Sequence, residues 1–224
     1  MTGLASGLRA AAARARKAAG AVAGLVAMWL KPATCLLVPV LEAEPAVAAW
    51  LGQRTVAFHG APLHVTVMYP FLPARSVTAA DEADVADLAG GIEPFAFSLD
   101  HVDQFPGVYY LAPVPAPRFV EITERIRQRW PACVPYGGKF DSVVPHVAVA
   151  FGDAPPADLA ALAARLPIAS RADEFWLIEQ GWRGWRTRRR FPLGGPGRLP
   201  PREPGARLPG SPLNLPRLGV SACS

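Results

Sequence analysis

With 224 residues, 51% of them apolar, the chain can fill one well-packed domain or two small ones, which argues for a packed soluble core. The net charge of +5 is no nucleic-acid signal once it is divided along the chain: residues 1–31 carry five basic residues and no acid, residues 194–224 four arginines against Glu203, and residues 33–193 carry 14 basic and 17 acidic residues. Cys35, Cys133 and Cys223 are odd in number and lack C-x-x-C spacing, which excludes a disulfide framework and favours a reducing, cytoplasmic setting.

The chain opens Ala-rich, passing from a basic stretch, Arg9 to Lys17, into thirteen weakly apolar residues, Ala18 to Leu30. That order resembles an export signal, but the stretch is too short to span a bilayer as a helix, and the segment that follows, Lys31 to Cys35, is a poor cleavage site. The preferred reading makes residues 1–32 an Ala/Arg-rich extension outside the fold, with Met28 as functional start and no stable membrane association. Thr34 to Leu41 reads as a buried strand, Pro45 to Gln53 as a short helix, and Leu63 to Phe71 as a strand. Thr78 to Leu88 reads as an amphipathic helix, capped by a hydroxyl and acidic in its first turns. Phe95 to Val102 and Val108 to Val114 flank Gln104-Phe105-Pro106-Gly107 as a hairpin, and Pro117 to Trp130 is a helix. There follow a strand from Val143 to Phe151, a helix from Pro156 to Leu166, and two strands, Ile168 to Glu179 and Trp185 to Pro192. Beyond Leu193 the chain turns to Pro, Gly and Arg without an aromatic residue, so residues 194–224 are expected to be a disordered tail.

Within this order one phrase occurs twice, Leu63-His64-Val65-Thr66-Val67-Met68-Tyr69 and Pro145-His146-Val147-Ala148-Val149-Ala150-Phe151. Strict alternation would bury Val65, Val67 and Tyr69 and turn out His64, Thr66 and Met68. In the second copy it would bury Val147, Val149 and Phe151. The elements thus form two half-length units, each pairing strands with a helix around one histidine strand: an internally duplicated, two-lobed α+β domain over residues 33–193, with antiparallel sheets, helices packed outside and a central cleft. Two imidazoles held alike can serve as base and acid on either side of a reacting atom, and Thr66 can donate to an anionic oxygen. This chemistry suits in-line attack on a phosphodiester. The repeat leaves open which histidine is the acid.

His64-Val-Thr66 followed by Met-Tyr-Pro-Phe, and Val-Val-Pro-His146-Val preceded by Tyr136-Gly-Gly-Lys-Phe-Asp, resemble the two-histidine (2H) phosphoesterase superfamily in its 2'-5' RNA ligase-like, cyclic phosphodiesterase branch. Val-Pro-Val near the start and Arg-Phe-Pro-Leu at the end extend the resemblance from Thr34 to Leu193. It implies a hydrolase without metal or cofactor that opens 2',3'-cyclic phosphates or makes or breaks 2'-5' linkages, as in RNA processing. By the same resemblance the partner is a nucleotide or RNA-end phosphate, His64 and His146 are the acid/base pair and Thr66 is a phosphate ligand. The second copy departs from the family's H-x-T or H-x-S pattern at Ala148. That departure keeps an alternative alive: a phosphate-binding module with weak or lost turnover.

Other candidates are weaker. Tyr136 and Phe140, flanking Gly137-Gly138, could stack a base at the cleft mouth or plug the end of a sheet. Arg186, Arg188 and Arg190 would lie along one face of their strand, read as solvated surface in preference to a phosphate track. His59 and His101 lack a repeat partner and read as surface or loop residues, and no carboxylate or cysteine stands at zinc-ligand spacing from His59 and His64. A monomer is expected.

Overall fold

The computed structural model describes residues 33–51, 60–152 and 159–195. The N-terminal extension, His59 and nearly all of the Pro/Gly-rich tail, Cys223 included, lie outside the described residues. The elements run β1 Thr34–Pro39, a 3-10 turn Leu41–Ala43, α1 Glu44–Leu51, β2 His64–Met68, α2 Ala79–Gly90, β3 Phe95–Phe105, β4 Val108–Val114 and α3 Pro117–Arg129. A second 3-10 turn, Pro135–Gly138, leads to β5 Val147–Phe151, α4 Leu159–Ala163, β6 Ile168–Ala172, β7 Glu174–Gly181 and β8 Gly184–Pro192.

Local chemistry accounts for the boundaries. Thr78 closes a capping box on α2: its hydroxyl accepts from the Asp81 N–H at 3.2 Å while Asp81 accepts from the Thr78 N–H at 2.8 Å. Pro117 opens α3 where its missing N–H costs nothing, and Phe119, Ile122 and Ile126 line the buried face of that helix. Gly107, at φ 79°, makes the β3–β4 turn a side chain would strain.

Two four-stranded sheets result, ordered β2-β1-β7-β8 and β5-β4-β3-β6, and every pairing is antiparallel. One contiguous core joins them: Leu36, Val38 and Leu177 from the first sheet meet Leu99, Leu111 and Val147 from the second, with Val85 of α2 and Phe119 and Ile126 of α3. β2, which carries His64, and β5, which begins directly after His146, are each an edge of their own sheet, and these two edges lie against each other. The duplication therefore brings together two positions 82 residues apart in sequence.

Three expectations are corrected. The alternation through β2 does not persist, because pairing passes from Leu37–Thr66 to Leu36–Met68 and leaves Val67 as an extra residue. This β-bulge turns Met68 into the core and Tyr69 toward Cys35 and Leu37. The second copy bulges at the matching residue: Tyr110 pairs with Ala148 and Tyr109 with Ala150, skipping Val149, so that Phe151 is 60% exposed instead of buried. The expected strand from Ile168 to Glu179 is two strands in different sheets, since β6 pairs with β3 and β7 with β1. No Gly or Pro marks the switch; it occurs at Asp173, whose carbonyl accepts the Leu193 N–H at 2.8 Å. Finally, a bulge at Arg188 breaks the alternation of the arginines on β8, so they do not share a face.

Candidate active site

Residue i−2 fixes each histidine. His64 Nδ1 lies 2.7 Å from the Pro62 carbonyl oxygen and His146 Nδ1 lies 2.8 Å from that of Val144. A carbonyl can only accept, so Nδ1 carries the proton on both rings and both Nε2 atoms are left with a lone pair. Burial drives the His64 pKa down to about 4; its bond to Pro62 opposes this, and the nearby His146 lowers it further. Burial lowers that of His146 as well, against its bond to Val144. The two rings are therefore close enough to feel each other's charge, and both are neutral at pH 7 in the free protein.

This burial has a cost in acid. Between the ordinary value of about 6.5 and about 4 the unfolded chain binds more protons at position 64 than the folded one, so stability falls as pH falls through that window. The difference reaches about 3 kcal/mol at its lower end. Urea unfolding across the window should show the wild type losing stability faster than His64→Gln; parallel curves would rule the effect out.

Thr66 sits on the same face of β2 as His64. The Cys35 thiol and the Tyr136 phenol lie beside its hydroxyl. Burial pushes the Cys35 pKa up to about 12, so it stays a neutral thiol, and burial raises Tyr136 too. Tyr136 is held by its own backbone: it adopts φ 52°, is followed by left-handed Gly137 and Gly138, and donates its N–H to the Tyr69 carbonyl at 2.6 Å. Of the two sequence-stated options for this loop, Tyr136 packs inward beside Thr66, whereas Phe140 is 65% exposed with its ring 5.5 Å from that of Tyr136.

The second half-site is built differently. Ala148 offers no hydroxyl, and the residue opposite it on β4 is Tyr110. The Tyr110 ring stacks on Phe105 at 4.3 Å, and both rings meet the His146 imidazole edge to face, at 5.4 and 5.1 Å. The Tyr110 hydroxyl donates to Asp103 at 3.1 Å, which together with burial raises its pKa to about 12. Thus His146 is clamped by aromatic edges where His64 is flanked by a hydroxyl cluster. Cys35, Phe105 and Tyr110 were not readable as site residues from sequence, because the pairing of β4 with β5 that brings Tyr110 opposite Ala148 leaves no local signal.

With the geometry in hand, comparisons give the family. Residues 39–182 match the 2'-5' RNA ligase superfamily. The chain belongs to that superfamily. Among solved structures it is similar to Escherichia coli LigT, apo and complexed with 3'-AMP, each at 18% identity and a TM-score of 0.50, covering 73% of this chain and 98% of LigT. A structure described as a phosphoesterase matches at 16% identity and TM-score 0.50 over the same shares, 73% and 98%. These likenesses show the two-lobed fold of the superfamily. No curated protein matches the chain.

In this superfamily member the arginines of β8 divide by face. Arg188 donates to Glu82 at 2.7 Å and to Glu179 at 3.1 Å, Arg189 donates to Glu82 at 3.0 Å, and Arg186 pairs with Glu179. Arg190 alone turns to the face of Trp176, its guanidinium 4.0 Å from the ring centroid. His101 is an exposed residue of β3. Among the described residues there is no cluster of three or more His, Cys, Asp or Glu side chains suited to a metal, and no helix long and apolar enough to cross a membrane.

Proposed function

We propose that this superfamily member hydrolyses a 2',3'-cyclic or 2'-5' phosphodiester of a nucleotide or RNA end by paired-histidine acid/base catalysis, as a cytoplasmic monomer working without metal or cofactor over residues 33–193. The matched Nδ1 tethers carry the reading: they fix both rings in the same tautomer, and the two rings are close enough to feel each other's charge, as an acid/base pair requires. The complex of LigT with 3'-AMP, a nucleotide bearing the phosphate on its ribose 3' oxygen, supports the substrate class.

For a cyclic phosphate, one Nε2 takes a proton from water as its oxygen attacks phosphorus. The other histidine, protonated, delivers its proton to the ribose oxygen as the P–O bond breaks. The products are a phosphomonoester and a free hydroxyl, with one proton moved through each ring. Thr66, on the same face of β2 as His64, donates to a phosphoryl oxygen as charge grows there.

Turnover of a panel of 2',3'-cyclic nucleotides, with and without a chelator, tests this. Turnover insensitive to the chelator supports the reading, and activity abolished by chelation and restored by zinc would overturn it. Because both imidazoles are shifted downward, kcat/KM should be bell-shaped with its optimum below about pH 6.5. An optimum above neutrality would reject the pair as the titrating groups. Ala148→Ser should raise kcat several-fold with little change in KM, since a new donor at that position acts mainly on the transition state. Should kcat stay flat or fall, the aromatic clamp already fills the role.

A further inference from the structure

Beside the histidine pair, the face of the first sheet that carries Thr66 holds groups that the proposed reaction does not use. Register places Thr66, Leu37, Trp176 and Arg190 in one row across β2, β1, β7 and β8. At strand spacing, Arg190 Cα stands about 14 Å from that of Thr66. Its side chain folds back over Trp176, bringing the guanidinium toward the site.

Two donors at this end of the row have no acceptor. Arg186, Arg188 and Arg189 are all bound to carboxylates, but Arg190 has no carboxylate partner among the described residues. Directly beneath it, Trp176 is 7% exposed and its indole Nε1–H is buried without a partner. The other such orphaned atom among the described residues, Gln180 Oε1, belongs to the same face of β7, four residues on. Buried polar groups are normally satisfied, so an arginine and an indole N–H left without acceptors side by side mark a place that an anion would complete.

We infer that Arg190 and Trp176 form a second phosphate subsite, which selects RNA ends carrying a phosphate one nucleoside away from the group at His64 and His146. This rests on the proposed function and narrows its substrate from any cyclic nucleotide to the end of a chain. The guanidinium is a planar fork suited to two phosphate oxygens, and the indole N–H supplies a third donor from the floor.

Three substrates decide it: adenosine 2',3'-cyclic phosphate, the adenylyl dinucleotide ending in a 2',3'-cyclic phosphate, and that dinucleotide with a neutral methylphosphonate linkage. The wild type should favour the charged dinucleotide over both others by about tenfold or more in kcat/KM. Arg190→Gln should bring that ratio close to one, and Trp176→Phe, which keeps a ring but loses the N–H, should reduce it in part. No preference in the wild type, or a preference that survives Arg190→Gln, overturns the subsite while leaving the cyclic phosphodiesterase reading intact. If the wild type turns over none of the three, that reading fails by itself. Calorimetric titration with the dinucleotide 3'-phosphate then decides the subsite: binding weakened about tenfold by Arg190→Gln supports it, and equal affinity overturns it.

Discussion

Replacing His64 or His146 with alanine should each lower kcat/KM toward a 2',3'-cyclic nucleotide by about a hundredfold or more, and the double replacement should cost little beyond either single one. General acid and general base contribute to a single proton-coupled step, so removing one leaves the other with nothing to complement. The geometry makes the two losses comparable, because both rings are tethered through Nδ1 to the carbonyl of residue i−2. Additive losses, or one variant close to wild type, would mean that the two rings do not work on one phosphorus.

Thr66→Val should be nearly as damaging, lowering kcat by about a hundredfold with a smaller change in KM. Valine keeps the shape and β-branching of threonine, so the strand should hold. What disappears is a donor beside the developing charge, in a half-site where Cys35 and Tyr136 lie next to the hydroxyl. Since Ala148 supplies nothing equivalent in the other half, no second hydroxyl from the repeat covers the loss. A change confined to KM would show that Thr66 serves ground-state binding alone.

The histidine pair was legible because the chain states it twice, in two apolar strands with the same spacing. The Thr78 cap and the helix from Pro117 were legible because hydroxyl and apolar spacing act locally, though Phe119, and not the apolar Val120, turned out to face the core. What stayed hidden depends on pairing between strands. Nothing in Leu63 to Tyr69 announces that Val67 will bulge, since the extra residue exists only relative to Leu36 and Leu37 across the ladder. The switch of sheets at Asp173 was invisible because neither Gly nor Pro interrupts the apolar pattern there. The environment of His146 was likewise unreadable: Tyr110 and Phe105 reach it only through the β3–β4 hairpin and its register with β5.

The matched bulges have a consequence for how the molecule lives among its own copies. β2 and β5 end their sheets and no ladder joins them where they meet, and a sheet edge invites a strand from another molecule. A long flat edge at such a position would risk templated stacking into aggregates. Val67 and Val149 interrupt both edges three residues after each histidine, twisting the strand away from straight pairing. The same irregularity that turns one strand from the Thr66 face into the core thus denies a stranger's strand a continuous ladder to follow.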